Sequence, residues 1–120
     1  MTKSLFDRIG GFKTVRKVVS DFYDRVLENE VLIPYFEDVD MPSLIDHQTK
    51  FFAMLLGGPA SYTDSQLEKI HRGRGITNHA FEVICELVVE TLEDHDLEET
   101  DIQDVQSKLL DRKQYIVTPA

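Results

Sequence analysis

The sequence predicts an all-α fold. Strand-like alternation of apolar and polar residues is missing, whereas apolar side chains recur at the three- and four-residue spacing of helices. Glycines and a proline interrupt this pattern at residues 10–11 and 57–59, where we expect breaks between helices. The 120 residues suffice for one domain, residues 1–120, and are too few for two substantial cores.

The expected elements follow from these apolar stripes and breaks. Thr77 is the expected N-cap of a long helix, because it follows Gly75 and precedes a periodic apolar segment. Apolar residues four or three apart define the inward faces, as in Val15, Val19 and Phe22. Helices are expected at 4–8, 12–28, 42–56, 66–72, 77–94 and 99–116, with a short turn near 33–37.

Two polar side chains interrupt the predicted apolar faces. With Leu44 set at 0° and about 100° per residue, Phe51 and Leu55 fall within about 20° of it and Gln48 at about 40°. Burying an amide without a partner costs on the order of 1–3 kcal/mol, so Gln48 needs a protein hydrogen bond or a polar ligand. Tyr23 stands at the margin of another apolar face, and its hydroxyl also needs a partner.

A third inward polar group is His71, in a short helical segment that ends in glycines. It projects with Leu67 and Ile70, so its imidazole faces the apolar side. Such a histidine is either a hydrogen-bonded core residue or a ligand for a metal or a haem iron, because imidazole is the commonest protein ligand for iron. Since Tyr23, Gln48 and His71 come from separate segments, their common orientation indicates a pocket that contains something polar.

Charge and cysteine content exclude several classes of protein. Lys and Arg total 13 against 22 Asp and Glu, and the net charge of -9 argues against a nucleic-acid or anionic-membrane partner. No stretch resembles a signal peptide or a membrane span, so we expect a cytoplasmic protein. Cys85 is the only cysteine and is interpreted as a packed thiol. The acidic residues near 90–104 form either a solvated connection or a docking patch.

Several short motifs occur in a fixed order over about residues 5–117. Each is weak by itself, but the ordered set is specific. They are LFDRIGG (5–11), FYDRVL (22–27), PYF (34–36), VDM (39–41), HQTKFF (47–52), LGGP (56–59), YT (62–63) and HRGRGIT (71–77). By these motifs the chain resembles the truncated haemoglobins of group I, which are short globins with a two-over-two helical arrangement.

This resemblance implies a truncated globin fold around haem b and assigns roles to the polar residues. His71 corresponds to the proximal iron ligand, Tyr23 to the distal hydroxyl that stabilises bound dioxygen, and Gln48 to its partner. Leu44 lies where many other globins have a polar distal residue, so hydrogen bonding to dioxygen shifts to Tyr23 and Gln48. Further contacts with the cofactor or its ligand path are implied for Phe36, Phe51, Phe52, Ile84 and Val88.

Three basic side chains near the expected haem have open roles. In many family members a lysine or arginine at the position of His47 reaches a haem propionate, whereas some cyanobacterial members use a histidine there as a sixth iron ligand. The position of His47 at the edge of its stripe favours the propionate contact. Lys69 and Arg74 flank the proximal histidine, where they either pair with propionates or are simply solvated.

The implied activity is reversible binding of dioxygen and other diatomic ligands, including nitric oxide and carbon monoxide. It extends to oxygen transport and to nitric oxide dioxygenation, which yields nitrate and ferric haem. Turnover then needs an unidentified reductase, because this chain has no flavin or nicotinamide motif. The alternative is a bis-histidyl haem protein for electron transfer or for gas or redox sensing. A helical interaction domain without haem has no use for inward Tyr23, Gln48 and His71.

Overall fold

The computed structural model describes residues 4–59, 65–66 and 74–117. These ranges contain no strand, which confirms the all-α prediction, and none of their helices is long and apolar enough to cross a membrane. The expected helix at 66–72 lies largely outside the described residues. The elements are α1 (Leu5–Ile9), α2 (Phe12–Val26), a 3-10 turn (Ile33–Phe36), α3 (Met41–Leu55), α4 (Asn78–Asp94), α5 (Glu99–Leu110) and α6 (Lys113–Ile116).

Side-chain caps set the first residues of three helices. The Ser4 hydroxyl accepts a hydrogen bond from the Asp7 amide (3.2 Å) at the start of α1. Asp40 caps α3 in the same way, and the Thr77 hydroxyl accepts from the amide of Ala80 (3.0 Å) at the start of α4. Each cap satisfies a backbone donor that a helix N-terminus leaves without a partner, and the cap predicted at Thr77 is confirmed.

The helices form two packed pairs. α2 packs against α3, α4 packs against α5, and the pairs meet where α2 contacts α4 and α3 contacts α5. This is the two-over-two arrangement. The buried faces follow the predicted spacing and include Val15, Val19, Phe22 and Val26 of α2, Phe81, Cys85, Val88 and Leu92 of α4, and Ile102, Val105 and Leu109 of α5.

Polar contacts also join one helix pair to the other near the helix ends. Arg25 of α2 donates to the Thr91 hydroxyl (3.0 Å) and pairs with Asp94, both on α4. The Lys108 ammonium donates to the Leu55 carbonyl (3.2 Å), which belongs to the last turn of α3. A lysine at that position satisfies a carbonyl that the helix itself leaves without a partner.

The single helix expected over 99–116 is wrong, because the chain breaks between α5 and α6. The backbone amide of Arg112 donates to the Leu109 carbonyl (3.1 Å) rather than continuing the helical ladder. The Arg112 guanidinium instead donates to the Lys108 carbonyl (2.7 Å), the group that a continuous helix would pair with the Arg112 amide. This competition by a side chain ends α5 and redirects the chain before Ile116.

Gly58 occupies a close contact between α1 and the end of α3. A Cβ atom placed there would lie 2.6 Å from ring carbons of Phe6 and 3.0 Å from the Ala53 carbonyl oxygen. The Phe6 ring is buried and cannot move away without disturbing the core. We therefore expect Gly58→Ala to lower the free energy of unfolding by about 1–3 kcal/mol, as other overpacked sites do, measured by chemical denaturation.

Ser107→Ala is the control for this substitution. Ser107 is exposed on α5, so adding a helix-favouring alanine there should leave stability within about 0.5 kcal/mol of the wild type. Equal stability of Gly58→Ala and the wild type would show that Phe6 accommodates the added methyl group.

Candidate functional site

A cavity of about 460 Å³ lies between the helix pairs. Its wall is mainly apolar, which matches the lining of small-molecule and cofactor sites. α2, α3 and α4 supply most of this wall, and the 3-10 turn and the segments around α5 and α6 complete it. The apolar lining consists of Phe22, Val26, Phe36, Val39, Leu44, Phe51, Phe52, Ile84, Val88, Leu109 and Ile116.

Tyr23 brings a hydroxyl to this apolar wall. Its side chain is only 6% exposed, and its ring packs edge-on against Phe22 and Phe36, with centroids 4.9 and 5.8 Å apart. Within the described ranges the structure records no hydrogen bond from the hydroxyl to another residue. Burial raises the pKa of the Tyr23 phenol, so the group stays protonated at neutral pH and can donate a hydrogen bond into the cavity.

Gln48 reaches the cavity from α3. The helix buries Phe51, Phe52 and Leu55 on its inner side, and this orientation places the neighbouring Gln48 at the cavity wall, beside Leu44. Its amide has no recorded hydrogen bond to another residue of the described part. Such an amide can bind a polar group that enters the cavity. Tyr23 and Gln48 thus both bring polar groups to a mainly apolar cavity.

Four further polar side chains of the described residues line the cavity. His47, Arg74, Asp40 and Ser43 line it, and the Asp40 carboxylate accepts from the Ser43 amide as the cap of α3. His47 is an exposed residue, as expected for the edge of the apolar stripe. Basic side chains in such a position suit the carboxylate groups of a ligand.

Contacts outside the cavity hold the helix and the segment that carry His47 and Arg74. Arg16 of α2 pairs with Asp46, the residue before His47, and this neighbouring guanidinium lowers the pKa of the Asp46 carboxyl. The Tyr35 hydroxyl of the 3-10 turn donates to the Gly75 carbonyl (3.2 Å), next to Arg74. These contacts connect α2 with α3, and the 3-10 turn with the segment after residue 73.

The described site residues predicted from the sequence all line this one cavity. They are Tyr23, Phe36, Leu44, His47, Gln48, Phe51, Phe52, Arg74, Ile84 and Val88. His71 and Lys69 lie outside the described residues, so the structure gives no geometry for the predicted iron ligand. Sequence reasoning missed the lining role of Val39, Ser43 and Ile116. Ile116 lies in α6, after the break that ends α5, and no periodic pattern signals that break.

The packing of the helices thus defines a two-over-two helical protein with a mainly apolar binding site between the helix pairs. Residues 4–117 match the family model of the bacterial-like globins. The chain belongs to this family, among the group 1 truncated haemoglobins, whose members bind haem and whose standard cofactor is haem b.

Similarity in sequence and in structure agrees with this assignment. The chain is 44% identical over 82 residues to the group 1 truncated haemoglobin GlbN of Mycolicibacterium paratuberculosis, covering 68% of this chain and 60% of that relative's length. It is 32% identical over 92 residues to the group 1 truncated haemoglobin of Tetrahymena pyriformis, covering 77% and 76%.

Solved structures of truncated haemoglobins also superpose on the fold. The Fe(III) form from Tetrahymena pyriformis matches with a TM-score of 0.84 at 26% identity, over 98% of this chain and 100% of the other. The 2/2 haemoglobin from Synechococcus, in a cyanomet state with covalently attached haem, matches with a TM-score of 0.87 at 25% identity, over 96% and 98%.

Proposed function

We propose that this chain is a haem b protein that binds dioxygen reversibly and uses it to convert nitric oxide to nitrate. The observation that carries the proposal is the presence of both Tyr23 and Gln48 in the lining of one mainly apolar cavity, where neither side chain forms a hydrogen bond to another described residue. Bound haem iron supplies the position where diatomic ligands coordinate and where dioxygen reacts with nitric oxide. Oxygen transport and a cytoplasmic location stay predictions.

The residues present fit haem in three respects. The cavity volume of about 460 Å³ lies in the range of cofactor pockets, and its phenylalanine and aliphatic walls suit the faces of a porphyrin. Phe36, Ile84 and Val88 are the proposed contacts with those faces. His47 and Arg74 line the cavity as basic groups that suit propionates, and Lys69 is proposed for the same role. His71 is the proposed iron ligand.

The chemistry expected of the chain's own groups is to hold a polarised ligand and to exclude water. The Tyr23 phenol donates a hydrogen bond toward a ligand on which negative charge develops, and the Gln48 amide supports it. The apolar walls lower the local dielectric constant, which strengthens both interactions. Leu44, Phe51 and Phe52 restrict the space through which small ligands enter.

The test is rapid mixing of the dioxygen-loaded ferrous protein with nitric oxide. We expect immediate conversion to the ferric form, followed spectroscopically, and one nitrate formed for each haem oxidised. Release of dioxygen without nitrate would contradict the dioxygenation. Repeated turnover then requires an added electron donor, since one electron must be returned to each ferric haem.

A bis-histidyl electron-transfer or sensing protein is the second candidate, because His47 lines the cavity beside Gln48. The exposed position of His47 favours the edge role, so we expect ferrous wild type and His47→Ala to share a five-coordinate, high-spin spectrum without added ligand. His79→Ala, at an exposed position in the first turn of α4, is the control. A low-spin wild type that becomes high-spin only in His47→Ala would instead establish His47 as a sixth ligand and favour gated binding.

A further inference from the structure

A second concave surface, here called the outer groove, runs along α4 and is closed by α5 and α6. Its volume is about 590 Å³. Phe81, Cys85 and Val89 of α4 and Leu110 of α5 form its apolar floor. Phe81 and Cys85 are buried, whereas Leu110 is 51% exposed and Val89 is partly exposed, so these two residues keep aliphatic surface in contact with water. Covering it with an apolar partner is favourable for the same reason that core burial is.

One wall of the outer groove is acidic. Glu82, Glu86 and Glu90 are all exposed and follow each other at four-residue intervals, so they form a row along one edge of α4. The ion pairs among the described residues use other carboxylates than these three. Of the described residues in the lining, Lys113 is the cation, and its ammonium lies 6.0 Å from the centroid of the Phe81 ring. The row therefore presents a largely uncompensated negative field beside an apolar floor.

From this combination we propose that the outer groove docks a partner protein through a positively charged amphipathic helix. The apolar face of such a helix covers Val89 and Leu110, and its lysines or arginines meet the glutamate row. This is the helix-in-groove mode of recognition, in which apolar anchors give affinity and complementary charge gives orientation and a fast encounter. A neutral or acidic helix would leave the row without counter-charge.

The position of the outer groove, across α4 from the cavity, indicates the role of such a partner. Ile84 and Val88 line the haem cavity, while the adjacent Cys85 and Val89 line the outer groove, so one helix separates the two spaces. This part of the inference rests on the proposed function. If the proposed function holds, the partner is the reductase, a one-electron donor that is itself oxidised as the ferric haem is reduced. Docking at α4 brings this donor close to the haem.

Peptide binding to the haem-loaded protein tests the docking surface. The probe is a synthetic helical peptide with leucines on one face and lysines on the other, compared with a scrambled peptide of equal composition at physiological salt. We expect calorimetric binding of the amphipathic peptide and amide chemical-shift changes concentrated at 81–90 and 106–113. Charge reversal in Glu82→Lys/Glu86→Lys should weaken binding at least about tenfold, as loss of complementary charge at an interface does.

Glu28→Lys/Glu37→Lys is the matched control, because these exposed glutamates lie outside the outer groove and give the same change in net charge. Equal weakening by both pairs, equal binding of both peptides, or dispersed shift changes would overturn the proposal and leave only long-range attraction. Nitrate formation from the dioxygen-loaded protein needs no reductase in a single turnover. Its absence in the wild type would refute the dioxygenation while leaving the binding result to decide on the outer groove.

Discussion

His71→Ala is expected to lose most of the protein's haem affinity. If His71 holds the iron, its removal deletes the coordinate bond and leaves the apolar contacts with the cavity wall and the proposed contacts of basic side chains with the propionates. Loss of even an outer-shell partner of a metal ligand costs about 10–100-fold in affinity, so loss of the ligand itself should cost more than about a hundredfold. The measurement is the rate of haem transfer to an excess of an apo-acceptor, followed by the haem absorption band.

His79→Ala is the matched control for this prediction. His79 is exposed on the first turn of α4 and lies outside the haem cavity, so its removal should leave haem transfer unchanged. Added imidazole should slow haem loss from His71→Ala, because a free imidazole can occupy the position of the missing side chain. Haem retention equal to the wild type, with the same ferrous spectrum, would rule out His71 as the ligand.

Much of the site could be predicted from the periodicity of the sequence, because the 3.6-residue repeat of a helix determines which side chains share its buried face. Tyr23 and Gln48 could be placed at the wall from their angular positions alone, since α2 and α3 are regular over their lengths. The assignment to haem needed more than periodicity. It depended on the ordered motifs, because a buried tyrosine and a buried glutamine are common in cores that bind no cofactor.

One part of the site that sequence reasoning missed follows a helix end at which a side chain competes with the backbone. The Arg112 guanidinium takes the Lys108 carbonyl, which ends α5 where the apolar spacing still permits a helix. Ile116, which lines the cavity, lies in the short helix after that break. Ser43 is a different case, because its backbone amide donates to the Asp40 cap and its place in the first turn of α3 gave no separate sign that it lines the cavity.

Cys85 shows how packing restricts chemistry at a residue that two surfaces share. It is 8% exposed between the core and the outer groove, and burial raises the pKa of its thiol to about 11. The reactive thiolate is therefore scarce at neutral pH, which agrees with the interpretation of a packed thiol. The outer groove offers apolar contact at this position rather than a nucleophile.

Tyr23→Phe is expected to increase the dioxygen dissociation rate by about tenfold to a hundredfold. The substitution keeps the ring that packs against Phe22 and Phe36 and removes only the hydroxyl. A hydrogen bond to a charged group is worth about 1.5–3 kcal/mol, and dioxygen acquires partial negative charge when it binds ferrous haem. Carbon monoxide acquires little charge, so its dissociation rate should change much less. Laser photolysis and rapid mixing measure both rates.

Tyr35→Phe provides the matched control, since it removes a phenol hydroxyl that bonds to the Gly75 carbonyl rather than facing the haem cavity. It should leave the ratio of dioxygen to carbon monoxide dissociation rates unchanged. Adding Gln48→Leu to Tyr23→Phe should cost less than the sum of the two single effects, because the amide acts partly through the hydroxyl that is already absent. If Tyr23→Phe accelerates both ligands equally, the hydroxyl shapes the path for ligand escape and does not stabilise the bound ligand.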